Sequence, residues 1–503
     1  MQRETRLNRR HFLAGIAATA GTAILAACGG GVDTSTLTPL SATSVPQAAT
    51  GSGGITTAGG TTATGSSASG SAGAATAIPK PSGNFDFAPA LKKGVTLRYQ
   101  TFWTQFLIDT LKQSVTDFTQ RTGINVNIES FAGSADYRQN LATTMAAGTA
   151  ADVFIADDYN MVKYFDAGLI LDLTDRVKAD GIDLNKDYGL IGIEQYCGKT
   201  YMLPFDLSPH AWYYNKTMLK EAGAKDPWDD LNGQWTFDDF REIALKVTQT
   251  GGGKRWGAQL DPQIQYQWQP IIDTYGGAVT DFKANPPKYA IDQPKSIEAI
   301  TMIVKWYRDD KIILPPDQSK AFTDQGITSP FASKLVGFME KSSTQQILYL
   351  TQNVKDFEWD IAPPLRKTKD VTPIGHADGD PTAVFAKTKY PDEAYAFAKH
   401  LAGPVTQEIF ARTQLVMPAL KAAGTSDAYL KAPPKHMRVF PDILHSYRTS
   451  FWHGNGLEVN TDFDNFAEEL VLGTKQPSDA TAVTKAENAK ISLGTCVPSY
   501  VGS

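Results

Sequence analysis

Cysteine is nearly missing: 503 residues hold three, Cys28, Cys197 and Cys496. That excludes a disulfide-dense scaffold. Histidine is almost as scarce at seven, and His210, His376, His400 and His436 stand far apart, without metal-ligand spacing. The chain has no His-Glu-x-x-His pair and no Gly-x-Ser-x-Gly nucleophile elbow. Gly198-Lys199-Thr200 copies the end of a phosphate-binding loop, but Ile193 occupies the position of its first glycine. No cofactor and no metal are therefore expected. An excess of positive charge is also lacking, with 48 basic residues against 53 acidic ones. Electrostatic capture by nucleic acid or an anionic bilayer is excluded on that balance. What the chain does have is aromatics, with 9 Trp, 19 Tyr and 24 Phe. With mild acidity, they suit a neutral or cationic small ligand.

The N-terminus reads as an address. Arg9-Arg10-His11-Phe12-Leu13 leads into an apolar run to Ala27, broken by Gly15, Thr19, Gly21 and Thr22. It is too short and too weakly apolar for a spanning helix, and describes an export signal over residues 1–27. The arginine pair resembles a twin-arginine signal, with Asn8 where Ser or Thr is usual. Leu25-Ala26-Ala27-Cys28 resembles a bacterial lipobox, in which Cys28 would be acylated and hold the protein at the membrane. Gly29 to Pro79 is mostly Gly, Ala, Ser and Thr, with Asp33 its only charge. Such a segment buries too little to offset its ordering entropy, so residues 28–92 read as a tether. About 50 such residues reach roughly 40 Å. Cys197 and Cys496 either pair or remain as two buried thiols.

The folded body starts near Lys93. Val95 to Trp103 and Asn125 to Phe131 alternate as strands, and Asp152 to Asp157 is a short apolar strand. Helices between them carry Leu107, Leu111, Val115 and Phe118, then Tyr137, Leu141 and Met145, and stop at Gly123 and Gly148. This alternation implies a mostly parallel sheet, whose ligands sit at the strands' carboxyl ends. Trp103, Asp157 and Asp206 all fall at such ends. Gly198–Lys216 (GKTYMLPFDLSPHAWYYNK) is the aromatic-rich centre of the chain. It is expected to open with a Gly-Lys hairpin turn, with Pro204 ending the strand Thr200–Leu203.

The ordered segments FWT, FTQRTGINVNI, MAAGTAADVFIADD, DAGLILDLTD, GKTYMLPFD, WYYNK and EAGAKDPW-(x)6-WTFDDF are followed by WGAQLDP, WYRDDKI, Phe331–Met339, WDIAPPL, Lys389–Leu401 and Leu415–Ala419. Together they resemble the extracellular solute-binding proteins of ABC importers, family 1, the carbohydrate-uptake group that includes maltose-binding protein. The resemblance implies an α/β, two-lobed periplasmic-binding-protein-like fold (type II), with hinge-linked lobes each built on a mostly parallel sheet. Lobe one would be 93–209 with 381–432, and lobe two 210–380 with a helical tail, 433–503. Hinges would lie near 205–212, 375–381 and 430–436. It also implies a monomer outside the cytoplasmic membrane, lipid-anchored at Cys28, that hands its ligand to the permease subunits and catalyses nothing.

A sugar offers apolar C–H faces ringed by hydroxyls, so its site needs aromatic platforms with carboxylates or amides between them. The expected contacts in lobe one are Trp103, Asp157, Phe205 and Asp206. In lobe two they are Asp261, Tyr266, Trp268, Glu340 and Ser342, although Glu340-Lys341-Ser342 departs from the family's Gly-Gly-Ser or Gly-Pro-Trp. His376 and Asp378 are candidates at the second crossover. For Trp103, Trp268, His376 and Asp378 a packing or turn role carries equal weight, and for Phe451-Trp452-His453 packing is the first reading and capping the cleft the second. Asp158 reads as the cap of the segment Tyr159–Phe165. A glycosidase and a surface adhesin are the rival functions, since paired carboxylates beside aromatics also describe the former.

Overall fold

The computed structural model describes residues 78–497 except 89, 132, 157–158, 190–191, 324–328 and 345. The export segment, Cys28, most of the tether, and Asp157 with Asp158 lie outside the described residues. In chain order, β1 (Thr96–Thr101), β2 (Asn125–Ser130) and β3 (Val153–Ile155) run parallel with β1 between its neighbours. β1 buries Leu97 and Tyr99 and exposes Thr96 and Arg98, as its alternation requires. Helices Gln105–Thr122 and Ser134–Ala147 connect the three. They stop at Gly123 and Gly148, whose φ of 73° and 71° would strain any residue with a Cβ.

The central stretch is a chain of short strands ending in a long one. β4 (Gln195–Tyr196) and β5 (Lys199–Thr200) form a hairpin, followed by β6 (Met202–Leu203) and β7 (Asp206–Asn215). The hairpin turn is Cys197-Gly198, one residue earlier than the Gly-Lys expectation. Both residues have positive φ, 51° and 74°, as a two-residue hairpin turn favours, and Lys199 is already in the strand. β8 (Trp256–Gln259), the small hairpin β9 (Thr280–Asp281) and β10 (Lys288–Tyr289), β11 (Val336–Ser342), β12 (Trp359–Ala362), β13 (Gly375–Asp378), β14 (Thr382–Val384), β15 (Met417–Pro418) and β16 (Tyr447–Arg448) complete the set used below.

Two sheets result. The first has the order β2-β1-β3-β14-β6, and the second β16-β13-β7-β11-β8, with β12 and β15 also on β7. Parallel pairing prevails around β1, whereas β7 is antiparallel to β11, β12, β13 and β15. β7 is where the chain crosses from the first sheet into the second. Ser208 and Pro209 pair with β13, and His210 to Tyr214 with β11. Pro209 thus sits where the ladder changes partner, a place where a missing N–H costs least. Asn215 ends the strand and caps helix Lys216–Glu221 by accepting from Met218 N–H at 2.8 Å.

One core lies under the first sheet, with Leu97, Tyr99, Leu111, Phe118 and Phe397 fully buried. Another lies under the second, around Trp212, Trp235, Phe240 and Phe338. Tail helix Gly456–Leu472 adds Val459, Phe463, Phe466 and Leu470 to that second core. Burial of each of these phenylalanines contributes about 2–3 kcal/mol. Cys197 and Cys496 are joined in a disulfide with Cα atoms 5.5 Å apart.

Candidate ligand cleft

Antiparallel partners share a face, so the register sets the site. Ser342 lies opposite His210, and Asp378 opposite Ser208. Asp206, Ser208 and His210 therefore project from one face of β7 together with Ser342 of β11 and Asp378 of β13. Ser208 Oγ is 2.6 Å from Thr344 Oγ1, tying β7 to the segment after β11 on that face.

Aromatic rings close over this surface from both lobes. Tyr159, which follows β3, meets Tyr266 edge-on at 6.2 Å and Trp452 at 5.4 Å. Tyr266 lies nearly parallel to the His210 ring at 6.3 Å and meets His376 at 5.2 Å, and the two imidazoles are 5.0 Å apart. The Arg138 guanidinium stands 5.3 Å from the centre of the Tyr159 ring. Tyr266 is half-buried, while Tyr159 and Trp452 are 3% and 4% exposed.

Each imidazole has its own carboxylate. His210 Nδ1 is 3.1 Å from Glu340, and His376 Nε2 is 2.9 Å from Asp378. Asp378 also accepts from the Thr449 hydroxyl at 2.5 Å and from the Ser450 hydroxyl at 3.0 Å. Burial alone would raise the Asp378 carboxyl, but the His376 imidazole and these donors outweigh it and hold the group far below the usual range. His376 is itself fully buried, with Gln269 Oε1 3.1 Å from its Nδ1. Behind Glu340 a void of about 10 Å³ touches His210 and Gln267, room for about one water.

The expected contacts fall into three groups. Tyr266, Glu340, His376 and Asp378 come together at the aromatic cluster. Ser342 lies beside it, half-buried, its carbonyl accepting from Tyr213. Trp103, Phe205 and Asp206 gather around Asp380: Asp206 accepts from Asp380 N–H at 2.9 Å, and Trp103 Nε1 is 3.5 Å from Asp380 Oδ2. Trp103 stacks on Phe205 at 5.0 Å and both are fully buried, with Phe410 against them. Asp261 and Trp268 stand apart. Lys341 Nζ lies 2.6 Å from Asp261, and Ser319 donates to it at 2.8 Å. Burial opposes ionisation of Asp261, yet Lys341 and these donors bring it down to about 2. Trp268 is fully buried in the second core, 6.2 Å from Tyr307.

Tyr159, His210 and Asp380 join the candidate site without having been singled out for it from sequence, and Trp452, for which packing was the first reading and capping the cleft the second, meets Tyr159 there. Tyr159 and Trp452 are separated by some three hundred residues, and no local periodicity marks a pair that meets only through folding. His210 did carry a signal, since it alternates with Asp206 and Ser208 on the long strand.

A larger void, about 490 Å³, lies on the opposite face of the hinge strands, where Leu207 and Ala377 point, walled by Tyr188, Met417 and Tyr447. On the other face the rings of Tyr159 and Tyr266 meet edge-on.

Comparison with known proteins matches this architecture. A binding protein of Brucella abortus is 25% identical over 387 residues, spanning 74% of this chain and 86% of that one. The Listeria monocytogenes ABC substrate-binding protein solved with cycloalternan superposes with a TM-score of 0.69 at 20% identity, over 79% of this chain and 99% of that one. A Mycobacterium tuberculosis protein, UgpB, solved with glycerophosphocholine, does so at 0.66 and 19%, over 78% and 97%. At these identities the structures speak for the fold: two α/β lobes around a ligand cleft. Residues 113–437 match the family described as bacterial extracellular solute-binding protein, and the chain belongs to that family.

Proposed function

We propose that this solute-binding protein takes a sugar or oligosaccharide into the cleft and delivers it to the permease of an ABC importer, while acylated Cys28 and the tether hold it at the outer face of the membrane. The observation that carries the ligand class is the cluster shared by both lobes. Tyr159, Tyr266 and Trp452 supply apolar faces, Glu340 and Asp378 supply acceptors for hydroxyls beside them, and Asp206 with Asp380 adds carboxylates from the separate group around Trp103. The cycloalternan-bound relative is consistent with that chemistry. The glycerophosphocholine-bound relative raises a phosphodiester as the second reading. Against it, the polar groups of the cluster are mostly carboxylates, and Arg138 is the cation seated on its rings. Closure is a population shift driven by the ligand's preference for the closed state.

A thermal-shift screen tests this, with mono- and oligosaccharides as the main arm and glycerophosphocholine, glycerol phosphates, polyamines and amino acids as the others. At 100-fold excess over Kd a true ligand adds about 2.7 kcal/mol of stability. Stabilisation confined to the phosphodiester arm replaces the sugar reading with the second one. Product analysis after incubation with oligosaccharides separates binding from hydrolysis, and turnover would remove the binding-protein reading. Asp206→Ala is expected to abolish the response to the stabilising sugar, and unchanged binding takes Asp206 out of the site.

A further inference from the structure

The C-terminal segment makes a connection that ligand binding does not require. Helix Gly456–Leu472 is built into the second core, and helix Ala480–Asn488 is fixed beside it, where Asn488 accepts from Tyr289 N–H at 2.8 Å and donates to its carbonyl at 3.0 Å. The chain beyond stays docked there: Asn455 Nδ2 donates to Lys490 O at 2.9 Å, and Gly454 N–H to Ser492 O at 2.5 Å. Within four residues it has crossed to the other lobe. Thr495 N–H donates to Asp166 at 2.9 Å and Cys496 N–H to the Tyr196 hydroxyl at 2.9 Å. Gly494, at φ 71°, lies so close that a Cβ there would meet Asp166, Val162 and Tyr196 at 2.4–2.6 Å. Tyr196 belongs to the β4–β5 hairpin, which the first lobe holds by stacking Phe165 on Tyr196 and Tyr201 and by Leu173 N–H bonding to Thr200 O. Cys197, at the hairpin's turn, forms the disulfide with Cys496.

We propose that residues 490–496 are a covalent strap between the lobes, which limits how far the empty cleft opens and which reduction of Cys197–Cys496 releases. Ser492 and Cys496 are four residues apart, and four residues span at most about 14 Å when extended. With Ser492 docked on one lobe and Cys496 bonded to the other, the two edges cannot part further than that. Without the disulfide, this end keeps the Thr495 and Cys496 N–H bonds to Asp166 and Tyr196, the contacts of Gly494 and the packing of Cys496 on the first core. A dithiol such as dithiothreitol breaks the S–S bond, leaving each cysteine sulfur with one hydrogen, and is itself oxidised to its cyclic disulfide.

The test is small-angle scattering on the ligand-free mature chain, so its outcome is independent of which ligand the cleft takes. Three samples are compared: oxidised, reduced with dithiothreitol, and oxidised with four Gly/Ser residues inserted between Leu493 and Gly494. Because reduction alone could unfold the chain, the lengthened strap, which keeps the disulfide, is the deciding sample. The radius of gyration is expected to be larger with the lengthened strap, and larger in the reduced sample wherever its far-ultraviolet circular dichroism is unchanged. The same radius for the oxidised and lengthened-strap samples overturns the proposal.

Discussion

At Asp261 a carboxylate expected to meet the ligand is held by Lys341, eighty residues further along the chain. Nothing near Asp261 in sequence marks that partner, because ion pairs across a sheet depend on register and not on spacing. The pairing has a pH signature. The folded pKa of about 2 lies below the free aspartate value near 3.9. The stabilisation is therefore complete above about pH 5 and is lost as pH falls toward 2. Lys341→Met is expected to cost about 2 kcal/mol in urea unfolding at pH 7, with the deficit shrinking near pH 2. His400 carries a second acid-sensitive contribution. Its ring is buried against Phe87 and Phe118 and its Nε2 lies 2.9 Å from Ser114 O; burial lowers its pKa to about 4. A depressed histidine is at full advantage above pH 6.5 and loses it as pH falls to 4. His400→Gln is expected to flatten the stability curve across that window, by about 3 kcal/mol. In the cleft, Tyr266→Ala is expected to weaken a sugar found by thermal shift at least about tenfold, or about 1.4 kcal/mol, by calorimetry. An unchanged Kd would make Tyr266 a packing residue only.

The elements were the most legible level. Glycines that stop helices act through a single backbone angle, so Gly123 and Gly148 could be read without tertiary context. The segment WTFDDF carries an equally local signal, although it entered the sequence reading only through the family resemblance. Thr236 accepts from Asp239 N–H at 3.2 Å and Asp239 accepts from Thr236 N–H at 3.0 Å, a capping box that starts helix Phe237–Thr250. Phe237, Phe240, Ile243, Ala244 and Val247 then form its buried stripe. Thr236→Ala is expected to cost about 1 kcal/mol, measured as a shift in denaturant midpoint with an unchanged m value. The Cys197-Gly198 turn was misplaced by one residue, since Gly alone signals positive φ and Cys does not. Sheet pairing was less legible again. Alternation identifies strands, but that β7 collects antiparallel partners from β11, β12, β13 and β15 follows from how distant segments return to it.

For the molecule as a whole, the disulfide joins residues 299 apart. A loop of that length implies about 6 kcal/mol of stabilisation through the unfolded chain, before native-state effects. Cys496→Ser is therefore expected to lower the midpoint of thermal unfolding, and reduction should add nothing further in that variant. A second drop on reduction would point to another redox-sensitive group. The family resemblance rested on many short segments in a fixed order, while local chemistry gave strand alternation, helix stops, and aromatics beside carboxylates at strand ends. The site itself needed the fold. Tyr159, Tyr266 and Trp452 touch because three distant segments are carried to one place, and Asp261 and Trp268 are held elsewhere by Lys341 and by the second core. The physical difference is range. Backbone preference and hydrophobic period act over a few residues and are written locally, whereas contacts across a cleft depend on how whole lobes pack, which no local window contains.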